Sequence, residues 1–483
     1  MSDSNSSIES MGLFDRVRLL SKKQETLSQY TAIITQRSSS LSNLRQDEPV
    51  PAPGTASASV SKEQHLEDLQ RLAQLAMQVE FSTIPVYLAG LYSMKKKDNA
   101  AYQALRSVVM EEMLHFNQAA NLVVALGAQP KITGDSTPTY PSYLPKANPA
   151  TTPYLGLYRA SKEVFSSVYT AIETPAVPSA PAQGDQYDTI AQLYAAFLKA
   201  IDDHDATFGN PFAQRTPGIR QRTDIYIGKF GGKVIEVVDK NSAHAAIRQI
   251  VQQGEGTVPT EAPLDPMQEY GAYQHYGQRT DGTYGPIMGT PYEMSHFSKF
   301  RHVSLDPSAF PPTFPIISNP TIEQFTNPEA KKLANLFNDA YTQLLEALED
   351  SFKDITPTQA DPFFGIALNL MHRVLPGLAE SLMETPISAS GDASVGPNAA
   401  PTWSCVPRKV RVSSYASLQG NAQEGLQMGP QESLSHQTQE AINRTQEGIE
   451  NKRESAAEDA RRRHVASVLE EVLKSLPKVA LPV

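Results

Sequence analysis

Glutamate and histidine side chains occupy positions of one predicted helix where the hydrophobic periodicity requires apolar residues. Glu112 and His115 lie three residues apart and therefore project from the same helix face. A bare carboxylate in a helical core costs several kcal/mol unless it is paired or bound to a metal ion. The pattern therefore predicts a compensating cation. The inward stripe of this helix reads Leu105, Val108, Glu112, His115, Ala119, Leu122 and Leu126.

The same spacing recurs far along the chain, and a single core-facing glutamate precedes both motifs. Glu293 and His296 lie in the apolar segment PYEMSHFSKF, and Glu80 interrupts the nearly uncharged stretch QLAMQVEFSTIPVYLAG. Glutamates combined with two Glu-x-x-His motifs are the ligands of di-iron carboxylate bundles. Such ligands suit iron, or Mn as the alternative, better than a structural zinc ion. Alternatively, Glu112 could pair with Lys or Arg, and His115 could be a hydrogen-bonded core histidine.

Long helices are needed to position these residues, and the sequence predicts several. Apolar residues at steps of three and four predict a helix from Lys62, kinked at Pro85. A second helix is predicted from about Asn99 to Leu126, with Asp98 as N-cap and Gly127 after its end. Further helices are predicted over 155–172, 188–204, from Ser242 to the QQGEGT segment, 292–303, 330–352 and 364–383, with a small hairpin around Gly231-Gly232.

Composition divides the chain into three parts. Residues 1–60 are a flexible polar region rich in Ser, Thr and Gln, residues 61–404 form one helical domain, and residues 405–483 form a polar tail. The tail is expected to be partly disordered and to end in an amphipathic helix. The 36 prolines indicate long irregular connections between the helices.

Charge and cysteine content restrict the class of protein. The net charge of −10 and the pI of about 5.6 argue against nucleic-acid binding. The chain contains no apolar run of the roughly 18 residues that a membrane span needs, so we expect no membrane partner. Cys405 is the single cysteine, which favours a reducing, cytoplasmic environment.

Several segments together resemble the iminophenyl-pyruvate dimer synthase-like branch of the ferritin-like superfamily, which occurs in bacterial bisindole pigment pathways such as those to violacein and rebeccamycin. They follow the family order over roughly residues 62–404. The resemblance implies an all-α, ferritin-like helical bundle with additional helices and long Pro-rich loops. The segments are VEFSTIPVYLAGLYS, EEMLHFNQAANLVVALGAQP, FSSVYTAIETP, YDTIAQLYAAF, IVQQGEGT, YEMSHFSKF and GPNAAPTW.

The resemblance also implies a set of metal ligands. These would be Glu80, Glu112, His115, Glu293 and His296, with Glu255 as a further acidic residue near the site. Glu173 is a weaker candidate, because a surface position at a helix end is its default interpretation. Gln192 stands where the family pattern has an acidic residue on the third bundle helix. Either Glu255 completes the set, or the second metal position is weak, or the site holds one ion.

These expectations favour a metal-dependent oxidoreductase, most simply a di-iron carboxylate enzyme, of secondary metabolism. It would use O₂ or peroxide to oxidise or oxidatively couple a small aromatic or amino-acid-derived metabolite. The alternative is a non-catalytic metal-binding or structural ferritin-like scaffold, which Gln192 favours. No residue is assigned a catalytic role, and a homo-oligomer remains open.

Overall fold

The computed structural model describes most of the predicted helical domain. The two polar tails, the predicted hairpin around Gly231-Gly232 and Glu293 lie outside the described residues, apart from Cys405 and Val406. The predicted limits of the domain therefore stay predictions. The described residues are 61–176, 180–212, 215–225, 234–256, 273–275, 278–279, 295–356 and 359–406.

Two long helices form the centre of the fold. Helix α1 (Lys62–Ser93) continues through Pro85, and helix α2 (Ala100–Ala125) returns beside it. Their N-caps are Ser61 and Asn99, whose side chains accept hydrogen bonds from backbone amides of the first turn. The predicted cap Asp98 is therefore wrong by one residue. The two helices run antiparallel, since the start of α1 contacts the end of α2.

Four helices pack around the faces of α1 and α2 that carry the acidic residues. A π-helical turn, Phe165–Tyr169, interrupts the first of them, and the chain before it is extended rather than helical from residue 155. Asp239, and not Ser242, is the N-cap of the third, with Ser242 completing a capping box. The four are α3 (Lys162–Val164, the π-turn and Thr170–Ile172), α4 (Ile190–Phe208), α5 (Lys240–Gln253) and α6 (His296–Leu305).

Two further helices cover other faces of α1 and α2. Helix α7 (Pro328–Ser351) is regular, whereas α8 begins with the π-helical segments Phe363–Ala367 and Leu370–Val374 and ends as α-helix over Leu375–Met383. Helix α8 packs against α7 and α1. The β-structure of the described chain consists of two short strands, β1 (Tyr273–His275) and β2 (Gln278–Arg279), so the all-α class is confirmed. Within the described ranges, no helix combines the length and apolar character needed to cross a membrane.

A close approach between α1 and α3 depends on one glycine. A Cβ atom at Gly90 would collide with the Tyr169 hydroxyl group. That hydroxyl donates to the Val86 carbonyl oxygen at 3.4 Å, and the Tyr169 ring packs edge-on against Tyr87. Gly90 therefore lets the π-helical turn of α3 lie directly on α1.

One fully buried arginine joins the loop before α5 to the start of α8. Arg222 donates through Nη1 to both carboxylate oxygens of Asp361, at 2.6 and 2.8 Å, and through Nε to Asp224 at 3.0 Å. Its backbone is held by α2, because Asn121 accepts from the Arg222 amide and donates to its carbonyl. A buried cation with these partners is stable only while its carboxylates are present.

We expect Asp361→Asn to lower the free energy of unfolding by about 3–5 kcal/mol, because it leaves the Arg222 charge buried with less compensation. The matched control is Asp350→Asn, which breaks the exposed ion pair with Lys353 and should cost about 0–1 kcal/mol. Chemical denaturation of both variants measures the difference. Equal losses would contradict the structural role of the Arg222 cluster.

Candidate metal centre

Five side chains from four elements converge between the helices. Glu80 lies on α1, Glu112 and His115 on α2, Glu173 directly after α3, and His296 at the first position of α6. All five are buried, with at most 4% of any residue exposed. Burial of this many ionisable groups is expected only where charges or hydrogen bonds compensate it.

His115 is held so that one ring nitrogen faces the acidic residues. Its Nε2 lies 3.0 Å from the Gln253 side-chain oxygen, which can only accept a hydrogen bond. Nε2 therefore carries a hydrogen, and Nδ1 is the nitrogen that faces the acidic residues. Nδ1 lies 3.6 Å from Glu80 Oε2 and 3.9 Å from Glu112 Oε2. This arrangement, with the outer N–H fixed by an acceptor, is the usual one for a metal-binding histidine.

His296 repeats the arrangement from the other side. Its Nε2 lies 2.8 Å from Glu111 Oε2, and the ammonium group of Lys299 binds both oxygens of Glu111. Its Nδ1 lies 2.8 Å from Glu112 Oε1 and 3.6 Å from Glu173 Oε1. Despite the short distance, Nδ1 makes no hydrogen bond of acceptable geometry within the described chain. An inward-facing imidazole nitrogen beside a carboxylate oxygen has the position of a metal ligand.

Glu112 is the residue common to both histidines. Its Oε2 faces His115 and accepts a hydrogen bond from Thr83 Oγ1 at 3.1 Å, while its Oε1 faces His296. The two imidazole rings are nearly parallel, with centroids 5.3 Å apart. One ligand atom from each of Glu112, His115 and His296 lies within 4.8 Å of the others. The geometry therefore forms two adjacent half-sites that share one carboxylate.

Two tyrosines fix the remaining carboxylates. The Tyr194 hydroxyl donates to Glu80 Oε1 at 2.7 Å, and the Tyr87 hydroxyl donates to Glu173 Oε1 at 2.5 Å. Burial, followed by these negative charges, raises the pKa of Tyr87 and of Tyr194 well above the usual value, so both hydroxyls keep their protons. Glu80 and Glu173 are thus oriented by neutral donors.

Carboxyl groups outnumber basic groups in this cluster. Burial raises the pKa of Glu112 to about 8, and the neighbouring Glu173 carboxylate adds to the rise. Burial disfavours the charged form of His296, but the carboxylates of Glu111, Glu112 and Glu173 outweigh this effect and raise its pKa well above the usual value. Among the described residues, Lys299 brings an ammonium group to the cluster, and it is paired with Glu111. Carboxylate oxygens and imidazole nitrogens are groups that divalent cations bind.

Glu255 lies at the same cavity, but both of its carboxylate oxygens accept hydrogen bonds from backbone amides. Oε1 accepts from the Ala191 amide at 2.8 Å and Oε2 from the Ala176 amide at 3.3 Å. The residue therefore binds the N-terminus of α4, where a carboxylate is favoured by the free amides and the helix dipole. Burial raises its pKa to about 8. Both contacts indicate an anchoring role for Glu255, and its predicted ligand role stays a prediction.

Gln192 does not lie in the cluster. Its side-chain amide donates to the Pro181 carbonyl oxygen at 3.0 Å, and its side-chain oxygen accepts from Thr189 at 3.3 Å. The acidic residue that reaches the site from this side is Glu173. Gln192 therefore takes no part in the cluster.

The predicted helix over 292–303 begins later in the structure, because α6 starts at His296 and its N-cap Ser295 has an extended backbone. The predicted ligand role of Glu293 stays a prediction. Glu293 itself lies outside the described residues. The predicted residues that the structure brings together are Glu80, Glu112, His115 and His296, with Glu255 at the edge.

Sequence reasoning missed several residues that support the cluster. Glu111 and Lys299 hold His296, Gln253 holds His115, and Tyr87 holds Glu173. A signal for Lys299 was available, because it follows His296 by three residues in the apolar YEMSHFSKF segment. Glu173 was a weaker candidate with a surface position as its default interpretation, yet it is 2% exposed.

The cavity at the cluster is small. Its volume is about 10 Å³, which is close to the least space that holds one water molecule. Its walls include Ile190, Ala191, Ile250 and Val251 as well as the acidic residues. The space fits ions, water or a diatomic molecule and excludes an aromatic substrate.

The fold and the carboxylate–histidine cluster define a ferritin-like helical protein. The ferritin-like family model matches residues 73–304, and this part of the chain is a ferritin-like domain. The matched range contains every residue of the cluster. The predicted resemblance to the dimer synthase branch is also confirmed by individual relatives.

Two relatives are enzymes by name. The chain is 23% identical over 319 residues to a 2-imino-3-(indol-3-yl)propanoate dimerase of Chromobacterium violaceum, covering 62% of this chain and 27% of that protein. It is 23% identical over 335 residues to a dichlorochromopyrrolate synthase of Lentzea aerocolonigenes, covering 62% of this chain and 30% of that protein. The chain thus matches less than a third of the length of either relative.

One solved structure is also similar. It is the crystal structure of a ferritin-like protein from Caulobacter vibrioides, with 17% identity and a TM-score of 0.46. The similarity covers 70% of this chain and 98% of that chain.

The anchoring role of Glu255 gives a prediction. Glu255→Ala should lower the free energy of unfolding by about 1–3 kcal/mol, because the partly buried amides of Ala191 and Ala176 lose their acceptor. Glu255→Gln should cost less, since its oxygen still accepts one hydrogen bond. As the control, Glu236→Ala at an exposed position should change stability by no more than about 0.5 kcal/mol. Chemical denaturation separates the three; an effect of Glu255→Ala as small as that of the control would contradict the anchoring role.

Proposed function

We propose that the cluster binds two iron ions and that the protein is an oxidoreductase. Glu80, Glu112 and His115 would hold one ion, and Glu112, Glu173 and His296 the other, with Glu112 shared between them. The observation that carries the proposal is the inward direction of both Nδ1 atoms, each with its Nε2 fixed outside the cluster. Oxygen-rich ligands with one imidazole per ion suit iron, and Mn fits the same set.

The ligand residues fit this role chemically. Three carboxylates and two neutral imidazoles nearly neutralise two divalent ions, and a carboxylate that faces both half-sites is suited to bridge them. When bound, the ions would supply redox chemistry towards O₂ or peroxide. The chain itself holds the ligands in place through Tyr87, Tyr194, Gln253 and Glu111. Its apolar walls exclude bulk water, which strengthens the electrostatic interactions within the site.

The relatives support an oxidative biosynthetic reaction of secondary metabolism. Their names denote dimerisation of an indolyl imino acid and synthesis of a dichlorochromopyrrolate. For this chain we propose a small aromatic or amino-acid-derived substrate, which loses two electrons and two protons during oxidation or coupling. O₂ would accept them to form hydrogen peroxide, or peroxide would accept them to form water. A cytoplasmic location remains part of the proposal.

A second candidate function is a metal-binding scaffold without turnover. The specific observation in its favour is the cavity of about 10 Å³, which admits O₂ but no aromatic ring. In an enzyme with this closed site, either the substrate reacts without entering the cavity or the helices open to admit it. A scaffold that only binds metal ions requires neither of these.

Metal content tests the ligand set. We expect the parent protein, purified anaerobically with Fe(II), to contain about two iron ions per chain, and Glu173→Gln about one or fewer. Glu163→Gln is the matched control, because Glu163 is an exposed glutamate on the same helix. Gln192→Glu should not raise the iron content. Loss of iron in Gln192→Ala with full retention in Glu173→Gln would contradict the proposed site.

Oxygen consumption separates the enzyme from the scaffold. The reduced, iron-loaded protein should consume O₂, with a change in absorbance, and should do so repeatedly when a 2-imino acid of an aromatic amino acid is supplied. Glu112→Gln should abolish both signals, whereas Glu163→Gln should keep them. Two bound iron ions with no O₂ consumption under either condition would overturn the oxidoreductase proposal and favour the scaffold.

A further inference from the structure

A second and much larger cavity lies on the other faces of α1 and α2. Its volume is about 190 Å³, compared with the 150 Å³ of an engineered apolar cavity that binds benzene. The walls come from α1, α2, α7 and both π-helical segments of α8, together with Trp403. It shares no wall residue with the small cavity at the acidic cluster. The α1–α2 pair therefore separates two chambers of different chemistry.

The chemistry of the walls selects against charged molecules. Aromatic, leucine and methionine side chains make up most of the lining, including Phe81, Phe116, Phe352, Phe363 and Met113. Among the lining residues that the structure describes, none is Asp, Glu, Lys or Arg. His372 is the imidazole in this set, and burial lowers its pKa, so it is neutral at neutral pH. A charged ligand would lose its hydration here without gaining an ion pair.

Three residues of this wall carry buried polar atoms without a partner in the described chain. The Tyr341 hydroxyl, Asn117 Oδ1 and Trp403 Nε1 are buried and make no hydrogen bond among the described residues. All three residues line the cavity and are at most 3% exposed. Such atoms cost free energy unless a ligand or water satisfies them, and they offer both donors and an acceptor. The cavity is therefore apolar with a small polar pole, as small-molecule sites usually are.

The cavity also has a route to the surface. Phe364 lies in the first π-helical segment, lines the cavity and is 50% exposed. π-Helical turns lack the regular α-helical hydrogen bonds and often occur at functional sites. Two of them, in sequence, form the wall beside Phe364.

From these observations we propose that the cavity between α1, α2, α7 and α8 binds an uncharged aromatic small molecule that carries a hydrogen-bonding group. The ring lies among the phenylalanine, leucine and methionine side chains, and its polar group meets Tyr341 and Asn117. Binding at this site needs no metal ion. It therefore goes beyond the proposed oxidoreductase function and stands or fails separately from it.

Benzamide and benzoate test the proposal, because they have nearly the same shape and differ in charge. With the full-length, metal-free protein, calorimetry should show saturable binding of one benzamide per chain and at least about tenfold weaker binding of benzoate. Trp403 is the single tryptophan of the chain, so its fluorescence should change with benzamide at the same midpoint. Equal binding of the two compounds, or no saturable binding of benzamide, would overturn the proposal.

Two variants locate the site. Tyr341→Phe removes a hydroxyl group without a partner, so the fold should keep its stability while benzamide binds about threefold to tenfold more weakly. Ethylbenzene, which has no polar group, should bind the parent and this variant equally. Leu368→Trp should fill the cavity and remove the binding of both compounds. Unchanged benzamide binding in both variants would place the ligand elsewhere and contradict the assignment.

Discussion

The structure depends on one costly interaction, the burial of several carboxylates at the centre of an apolar helix pair. Glu112 is almost fully buried, so Thr83 and the two histidines are its polar neighbours in place of solvent. Every other feature of the cluster follows from this constraint. The hydroxyl groups of Tyr87 and Tyr194 donate hydrogen bonds and stay protonated. Lys299 neutralises Glu111. Gln253 and Glu111 hold the two histidine rings through their Nε2 atoms.

Much of this arrangement could be predicted from the sequence, because the cluster residues on α1 and α2 interrupt regular hydrophobic stripes. Glu80, Glu112 and His115 are polar exceptions inside long helices, and the spacing of three places the last two on one face. The same reasoning gave the all-α class and most helices to within a few residues. Helix ends were less predictable, since Asp98 and Asn99 are both good N-caps and only the backbone decides between them.

The rest of the cluster could not be predicted because it comes from chain segments without regular periodicity. Glu173 follows a short helix interrupted by a π-turn, so its position in the sequence does not indicate which way it points. His296 begins its helix four residues later than the predicted start at residue 292, because Ser295 caps it. Glu255 shows the opposite case: it is near the cavity, but two backbone amides at the start of α4 take its oxygens.

The π-turn of α3 has a consequence for how this protein can vary. A π-turn contains one residue more than an α-helical turn, and each residue of an α-helix turns the chain by about 100°. The additional residue between Phe165 and Tyr169 thus determines the direction in which the following side chains leave the helix axis. One of these side chains is the carboxylate of Glu173 beside His296. Deleting a single residue there would regularise the helix and improve its backbone hydrogen bonds, while turning that carboxylate away from the cluster. A regular α-helix at this turn and the position of Glu173 beside His296 therefore exclude each other, and the structure has the irregular turn.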